Sequence, residues 1–139
     1  MESAPAVHSV PDSVALGSWT DLSFEGAKTT MGTGCYTTTF VIENPASAQD
    51  WLLSLGDVRE SARVRINGRN VATLWAVPYC CSVGQYLCPG KKNTLEIEVT
   101  NLPANRIADM DRRGVKWRIF KDINIAALGY KKGTYVGWE

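Results

Sequence analysis

The chain has 139 residues, 45% of them hydrophobic and 21% charged, with 15 basic and 14 acidic side chains and a formal net charge of +1. That length suits one domain with a real core, and the composition is that of a folded chain rather than a disordered one. Positives are interleaved with negatives, so there is no concentrated basic face for nucleic acid or an anionic membrane, and no run approaches the ~20 apolar residues of a membrane span.

Residues 1–15 are rich in Ala, Pro, Ser and Val without a period, which predicts a linker or tail before a single domain over 16–139. The start, Met1-Glu2-Ser3-Ala4-Pro5, lacks the basic and apolar regions of a signal peptide. Either the protein is intracellular or the sequence begins downstream of such a signal. From Leu16 onward the signal is β. A weak first strand is expected over 17–24. Residues 35–42 alternate Tyr36, Thr38, Phe40 and Ile42 on one face, and 51–55 bring Trp51, Leu53 and Leu55 together. Residues 62–66 alternate with Arg63 and Arg65 outward. The Asn67-Gly68 dipeptide, which takes positive φ cheaply, turns them into a strand over 71–75. Strands over 79–83 and, after a Pro89-Gly90 turn, over 94–100 follow, the last with Glu96 and Glu98 on its wet face. Short strands at regular spacing, each with one apolar face, predict an all-β fold, a jelly-roll β-sandwich. Residues 103–114 are too charged and too weakly periodic for a helix and read as a long loop.

Simple antiparallel reversals then place the loops 25–34, 56–61, 75–79 and 101–117 at one end of the sandwich. These loops carry Trp75, Tyr79, Asn105, Arg106, Asp109, Asp111, Arg112, Arg113 and Trp117, and loops on a rigid scaffold are where binding residues gather.

Four cysteines are present, Cys35, Cys80, Cys81 and Cys88; no CxxC pair occurs and His8 is the sole histidine, so zinc is not indicated. The thiols are either idle or joined as Cys81–Cys88 or Cys80–Cys88. GxSxG, HExxH and a paired Cys/His are all missing, so no catalytic residues are assigned. Fourteen acids guarantee that some carboxylate pair exists, so a pair alone does not make a glycosidase.

The run LGDVRESARVRINGRNVATLWAVPY, with Leu55-Gly56, Asn67-Gly68, Leu74-Trp75 and Pro78-Tyr79, resembles the galactose-binding-like β-sandwich domains of glycoside hydrolases. The likeness is to the accessory sugar-binding domain of family 2 enzymes and the C-terminal domain of family 106 α-L-rhamnosidase-like proteins. It extends upstream through Ser18–Thr20 and Gly32–Phe40. Downstream it continues through Pro89-Gly90, Asn93, Leu95–Val99, Thr100-Asn101-Leu102 and Asn105-Arg106. The resemblance implies a non-catalytic carbohydrate-binding module for plant cell-wall or related polysaccharide, secreted or periplasmic as part of a larger enzyme whose catalytic carboxylates lie elsewhere. The alternative is a structural domain that buttresses the catalytic domain without binding sugar. Its partners are then a polysaccharide or oligosaccharide and that catalytic domain, with neither nucleic acid nor membrane. The pattern departs from the family at Cys80, Cys81 and Ser82, where relatives often place an Asp. It also departs at the end: relatives tend to run past a tryptophan like Trp138 into another strand, whereas this sequence stops at Glu139, a departure that reads as a clipped edge.

Sugar recognition needs an aromatic face for the C–H side of a pyranose and planar polar groups for its hydroxyls. Trp19, Trp51 and Tyr36 are expected in the core. Trp75 shares parity with Val71 and Thr73, which permits either core packing or stacking on sugar, and Tyr79 is alike. Trp117 is open between the same readings. Tyr130, Tyr135 and Trp138 suit an edge or a sister domain. The cluster Asp109-Met110-Asp111-Arg112-Arg113 reads either as a reader of hydroxyls or uronate, through planar bidentate arginines, or as a solvated loop held by Asp–Arg pairs. No cofactor is expected, with structural calcium on Asp57, Glu60, Asp109 and Asp111 as the one metal considered.

Overall fold

In the computed structural model, which describes residues 7, 9, 15–24, 26–43 and 50–115, six strands and one α-helix are present among the described residues. The strands are β1 (Thr33–Val41), β2 (Leu52–Ser54), β3 (Ser61–Ile66), β4 (Arg69–Leu74), β5 (Cys80–Ser82) and β6 (Lys92–Thr100), and the helix is α1 (Ala104–Arg112). The described part of 31–102 forms one compact unit; the described residues before Met31 and after Leu102 fall to a second.

Within the first unit, β1, β6, β3 and β4 form a four-stranded sheet in that order, and β2 pairs with β5 in a second, smaller one; every pairing is antiparallel. This is the all-β sandwich expected from the sequence. Its core is the inward row of β3, with Ala62, Val64 and Ile66 buried, while Arg63 and Arg65 turn outward as the alternation requires. Full burial of Val64 and Ile66 is worth about 1.5–3 kcal/mol each. Between the sheets an apolar cleft of about 210 Å³ is lined by Phe40, Ile42, Ile66 and Leu95 on one side and by Trp51, Leu53 and Val83 on the other.

The turn between β3 and β4 has two residues, Asn67 (φ 51°) and Gly68 (φ 74°), the doubly positive geometry that matches strand twist in a tight hairpin. Asn67 also knits the chain around it. Its backbone N–H donates to Thr94 O (2.9 Å), its Oδ1 accepts from Thr94 N–H (3.0 Å), and its Nδ2 donates to Tyr86 O and to Asn93 Oδ1, both at 2.9 Å. Asn93, with no exposed surface, uses every remaining position: Oδ1 accepts from Cys88 N–H (2.7 Å), and Nδ2 donates to Cys88 O (3.1 Å) and Lys91 O (3.0 Å). A buried amide is tolerated in a core only when satisfied in this way.

Asp50 ties the start of β2 to the end of β5. Its carboxylate accepts from Trp51 N–H (2.7 Å), from Gly84 N–H (3.1 Å) and from the Ser82 hydroxyl. A Cβ built at Gly84 would lie 2.5 Å from the same carboxylate, so a larger residue there would displace Asp50 from these bonds.

Three expectations need correction. Residues 17–24 hold a 3₁₀ turn, Trp19–Asp21, not a strand, because the Ser18 Oγ accepts from Thr20 N–H (3.3 Å) and caps it. Residues 103–114 are helical, not a loop. Pro103 sets the start, and Gly114 (φ 70°) ends α1 in a closed C-terminal motif, with Val115 N–H donating to Met110 O (2.9 Å) and Gly114 N–H to Asp111 O (3.0 Å). Trp51 is not core: it is 36% exposed, at the mouth of the cleft. The tail over 1–15 lies outside the described residues apart from Val7, Ser9 and Ala15, as do Trp117 and the aromatics at 130, 135 and 138.

Candidate functional site

The strand directions follow the antiparallel reading. Ala62 pairs with Leu74 and with Val99, and Thr33 pairs with Thr100, so the start of β1, the end of β6, the start of β3 and the end of β4 share one end of the four-stranded sheet. Trp75 follows β4 at that end. It keeps the parity with Thr73 counted from the sequence but not that with Val71, because β4 carries a bulge. Val64 pairs with Ala72 but Arg65 pairs with Asn70, which leaves Val71 as the extra residue. Beyond the bulge Ala72 and Leu74 face inward, and Thr73 and Trp75 face out. Trp75 is 78% exposed, which settles the core alternative against it. Ala76, Val77 and Pro78 are exposed as well, and the Val77–Pro78 peptide bond is cis.

Tyr79 takes the opposite course. It is buried, its hydroxyl donates to Glu60 O (2.8 Å), and its carbonyl accepts from Leu55 N–H (3.0 Å). Its ring therefore serves the scaffold, clamping the loop 56–60 against the end of the Trp75–Pro78 segment. That loop contains Arg59 at φ 72°, with its Nε donating to Asp57 Oδ2 (3.1 Å).

The polar cluster lies on α1, in the second unit. Asp109 is almost buried, and three guanidiniums converge on its carboxylate: Arg113 Nε at 2.8 Å, Arg112 NH1 at 3.6 Å and Arg106 NH1 at 4.0 Å. Spacings of three and four residues bring these groups together on one helix face. Asp109 is thus committed to holding arginines, which matches the reading of a cluster held by Asp–Arg pairs. Asn105 and Asp111 are half-buried on the same helix, and Arg112 and Arg113 remain exposed.

Among the described residues no group of three or more His, Cys, Asp or Glu side chains is placed to hold a metal. Asp57 and Asp109, two of the four acids considered for calcium, are paired with arginines. All four cysteines are free thiols. Burial pushes the Cys81 thiol above its usual value, and the neighbouring Cys80 adds to this; burial likewise raises the Tyr36 hydroxyl.

The family model described as glycosyl hydrolase 2 galactose-binding domain-like matches residues 18–139. The chain belongs to this family. A Formosa agariphila protein named provisionally as a beta-glucuronidase is 33% identical over 135 residues, covering 89% of this chain and 12% of that protein. Among solved structures, the rhamnosidase of Novosphingobium sp. PP1Y superposes with a TM-score of 0.60 at 26% identity, over 86% of this chain and 12% of that one. The β-D-glucuronidase of Dictyoglomus thermophilum shares the fold, with a TM-score of 0.51 at 20% identity over 58% of this chain and 14% of the other. This galactose-binding-like domain therefore spans about an eighth of the length of the relatives it matches.

The outward row of the four-stranded sheet forms a polar network beside Trp75 that does not stand out in the sequence. Arg63 NH1 donates to Glu98 Oε2 (3.1 Å), Arg65 NH1 lies 3.4 Å from Glu98 Oε1, and Arg65 Nε donates to Asn70 Oδ1 (3.0 Å). Alternation alone could place these residues outward, but their common face with Trp75 required the bulge.

Proposed function

We propose that this domain is a non-catalytic accessory part of a glycoside hydrolase that holds carbohydrate at the end of the sandwich where Trp75 projects. The observation that carries the reading is Trp75 itself: an indole exposed on a segment whose next anchor, Tyr79, is buried and hydrogen-bonded. A rigidly held, solvent-facing aromatic is what stacking on a pyranose needs. The acids with described partners support a role without catalysis. Asp50 binds backbone and Ser82, Asp57 pairs with Arg59, Glu98 with two arginines and Asp109 with three. In this reading the domain works in a secreted or periplasmic enzyme, on plant cell-wall or related glycans.

Affinity electrophoresis of the chain against xylans, pectins, rhamnogalacturonan, mannans and β-glucans, with and without calcium, tests it. Retardation by at least one class is expected; migration unchanged by all of them would sink the proposal.

A second reading, a domain that buttresses a catalytic partner, draws on the run Trp75-Ala76-Val77-Pro78, in which four successive non-polar residues are exposed. Binding of an apolar dye and concentration-dependent association would favour it.

A further inference from the structure

The register of the four-stranded sheet places a second set of side chains beside Trp75. Because Leu74 pairs with Ala62 and both face inward, Ser61 and Arg63 share the outer face with Thr73 and Trp75. Thr73 lies directly opposite Arg63, and Trp75 is its diagonal neighbour, a separation that long and aromatic side chains span. Across β3, Arg63 is opposite Glu98 and Ser61 is opposite Thr100, whose hydroxyl lies 2.8 Å from that of Thr33 on β1. A row of hydroxyls thus runs from β1 to β3 and ends at the exposed indole beyond β4. At the usual strand spacing it extends ~14 Å, room for a short run of sugar rings.

Near Trp75 the charges on this face are balanced, and Lys92, outward on β6 by alternation, lies at the opposite, hairpin end. Arg63 and Arg65 stand opposite Glu98 and Glu96 in register, so two guanidiniums meet two carboxylates. Glu98 holds both arginines, which orients planar donors, and Glu96, opposite Arg65, completes the balance of charge. Arg63 remains 53% exposed in this pairing, with one of its nitrogens on Glu98 and the head group in reach of solvent. The α1 cluster is of another kind, with three arginines on a single aspartate.

We infer that the outer face of the four-stranded sheet, with Trp75 as stacking platform and Ser61, Arg63, Thr73, Glu98 and Thr100 as its polar floor, is the glycan subsite and takes an uncharged polysaccharide chain laid across the strands. The occupant follows from complementarity. A neutral surface of fixed donors, acceptors and hydroxyls matches a polyhydroxylated chain without ions, whereas an acidic glycan would find no surplus positive charge here. This inference rests on the carbohydrate-holding reading above and adds the surface and the ligand class to it.

The test is affinity electrophoresis of the full chain and its Trp75→Ala and Thr73→Glu variants in gels containing an uncharged mannan or β-glucan, or polygalacturonate, at low and high salt. Both substitutions are at exposed positions, and thermal melts check that the fold is kept. The expected result is retardation by an uncharged polymer, nearly independent of salt, with affinity about tenfold weaker in each variant. Retardation by an uncharged polymer that both variants retain would overturn the assignment of the face while leaving the carbohydrate-holding reading intact. Salt-sensitive retardation by polygalacturonate alone would do the same. No retardation by any polymer, in these gels or in the wider panel, would remove both.

Discussion

The two ends of the four-stranded sheet are built on opposite principles. At the hairpin end, Asn67 and Asn93 fill each other's hydrogen-bonding capacity and that of the backbone around them, and Asn93 has no contact with solvent. At the other end, Trp75 to Pro78 face water after a strand whose register is broken by a bulge. Satisfied polar groups inside and bare apolar groups outside reverse the usual arrangement. The first end commits its polar groups to the fold; the second leaves its apolar groups exposed to solvent.

Substitutions should separate the two ends. The largest loss is expected for Asn93→Ala, which strands the Cys88 N–H and two carbonyls in a dry site. Urea unfolding should show about 3 kcal/mol lost, and a loss under about 1 kcal/mol would mean that water reaches the network. Tyr79→Phe removes one buried hydrogen bond from beneath the exposed segment and should cost about 1 kcal/mol, with glycan affinity falling if the clamp on Glu60 holds Trp75 in place.

A smaller change is expected in acid. The Asp50 carboxyl lies below its usual value of 3.8, first through the Ser82 hydroxyl and then through Trp51 N–H. A depressed folded-state value means that the stabilisation is complete above the ordinary value and is lost as pH falls through the lowered one. The acid limb of a stability–pH curve, below about pH 4, should therefore flatten in Asp50→Asn. The smallest stability effect belongs to Trp75→Ala, within about 0.5 kcal/mol, because an exposed indole gives the fold little. A large loss of stability there would show that Trp75 packs against something and would erase the contrast between the ends.

The sequence made the hairpin end legible in part. Asn67-Gly68 announces its turn, and the alternation of Arg63, Arg65, Glu96 and Glu98 announces the outer face. The rest was hidden for physical reasons. Counting by twos from Val71 leaves the face of Trp75 open between core and solvent, since nothing in RNVATLW marks the extra residue of a bulge. Asn93 reads like any loop asparagine until the turn from Cys88 to Lys91 folds around it and Asn67 arrives from the β3–β4 hairpin. The helix α1 was missed because its order comes from charge spacing, Asp109 to Arg106, Arg112 and Arg113, rather than from an apolar stripe; Pro103 and Gly114 were the signals that bounded it.

The strand order has a consequence for how the chain reaches this state. The β3–β4 hairpin joins neighbours in sequence and can close as soon as both are synthesised, but β6 sits between β1 and β3. Until β6 emerges, β1 has no partner and the open edge of β3 has none either, although both were made long before. The sheet is therefore completed by the insertion of a late strand between two early ones, a step that carries the loop-closure entropy of the whole segment from β1 to β6. A nascent chain halted before Lys92 would expose two unpaired edges at once.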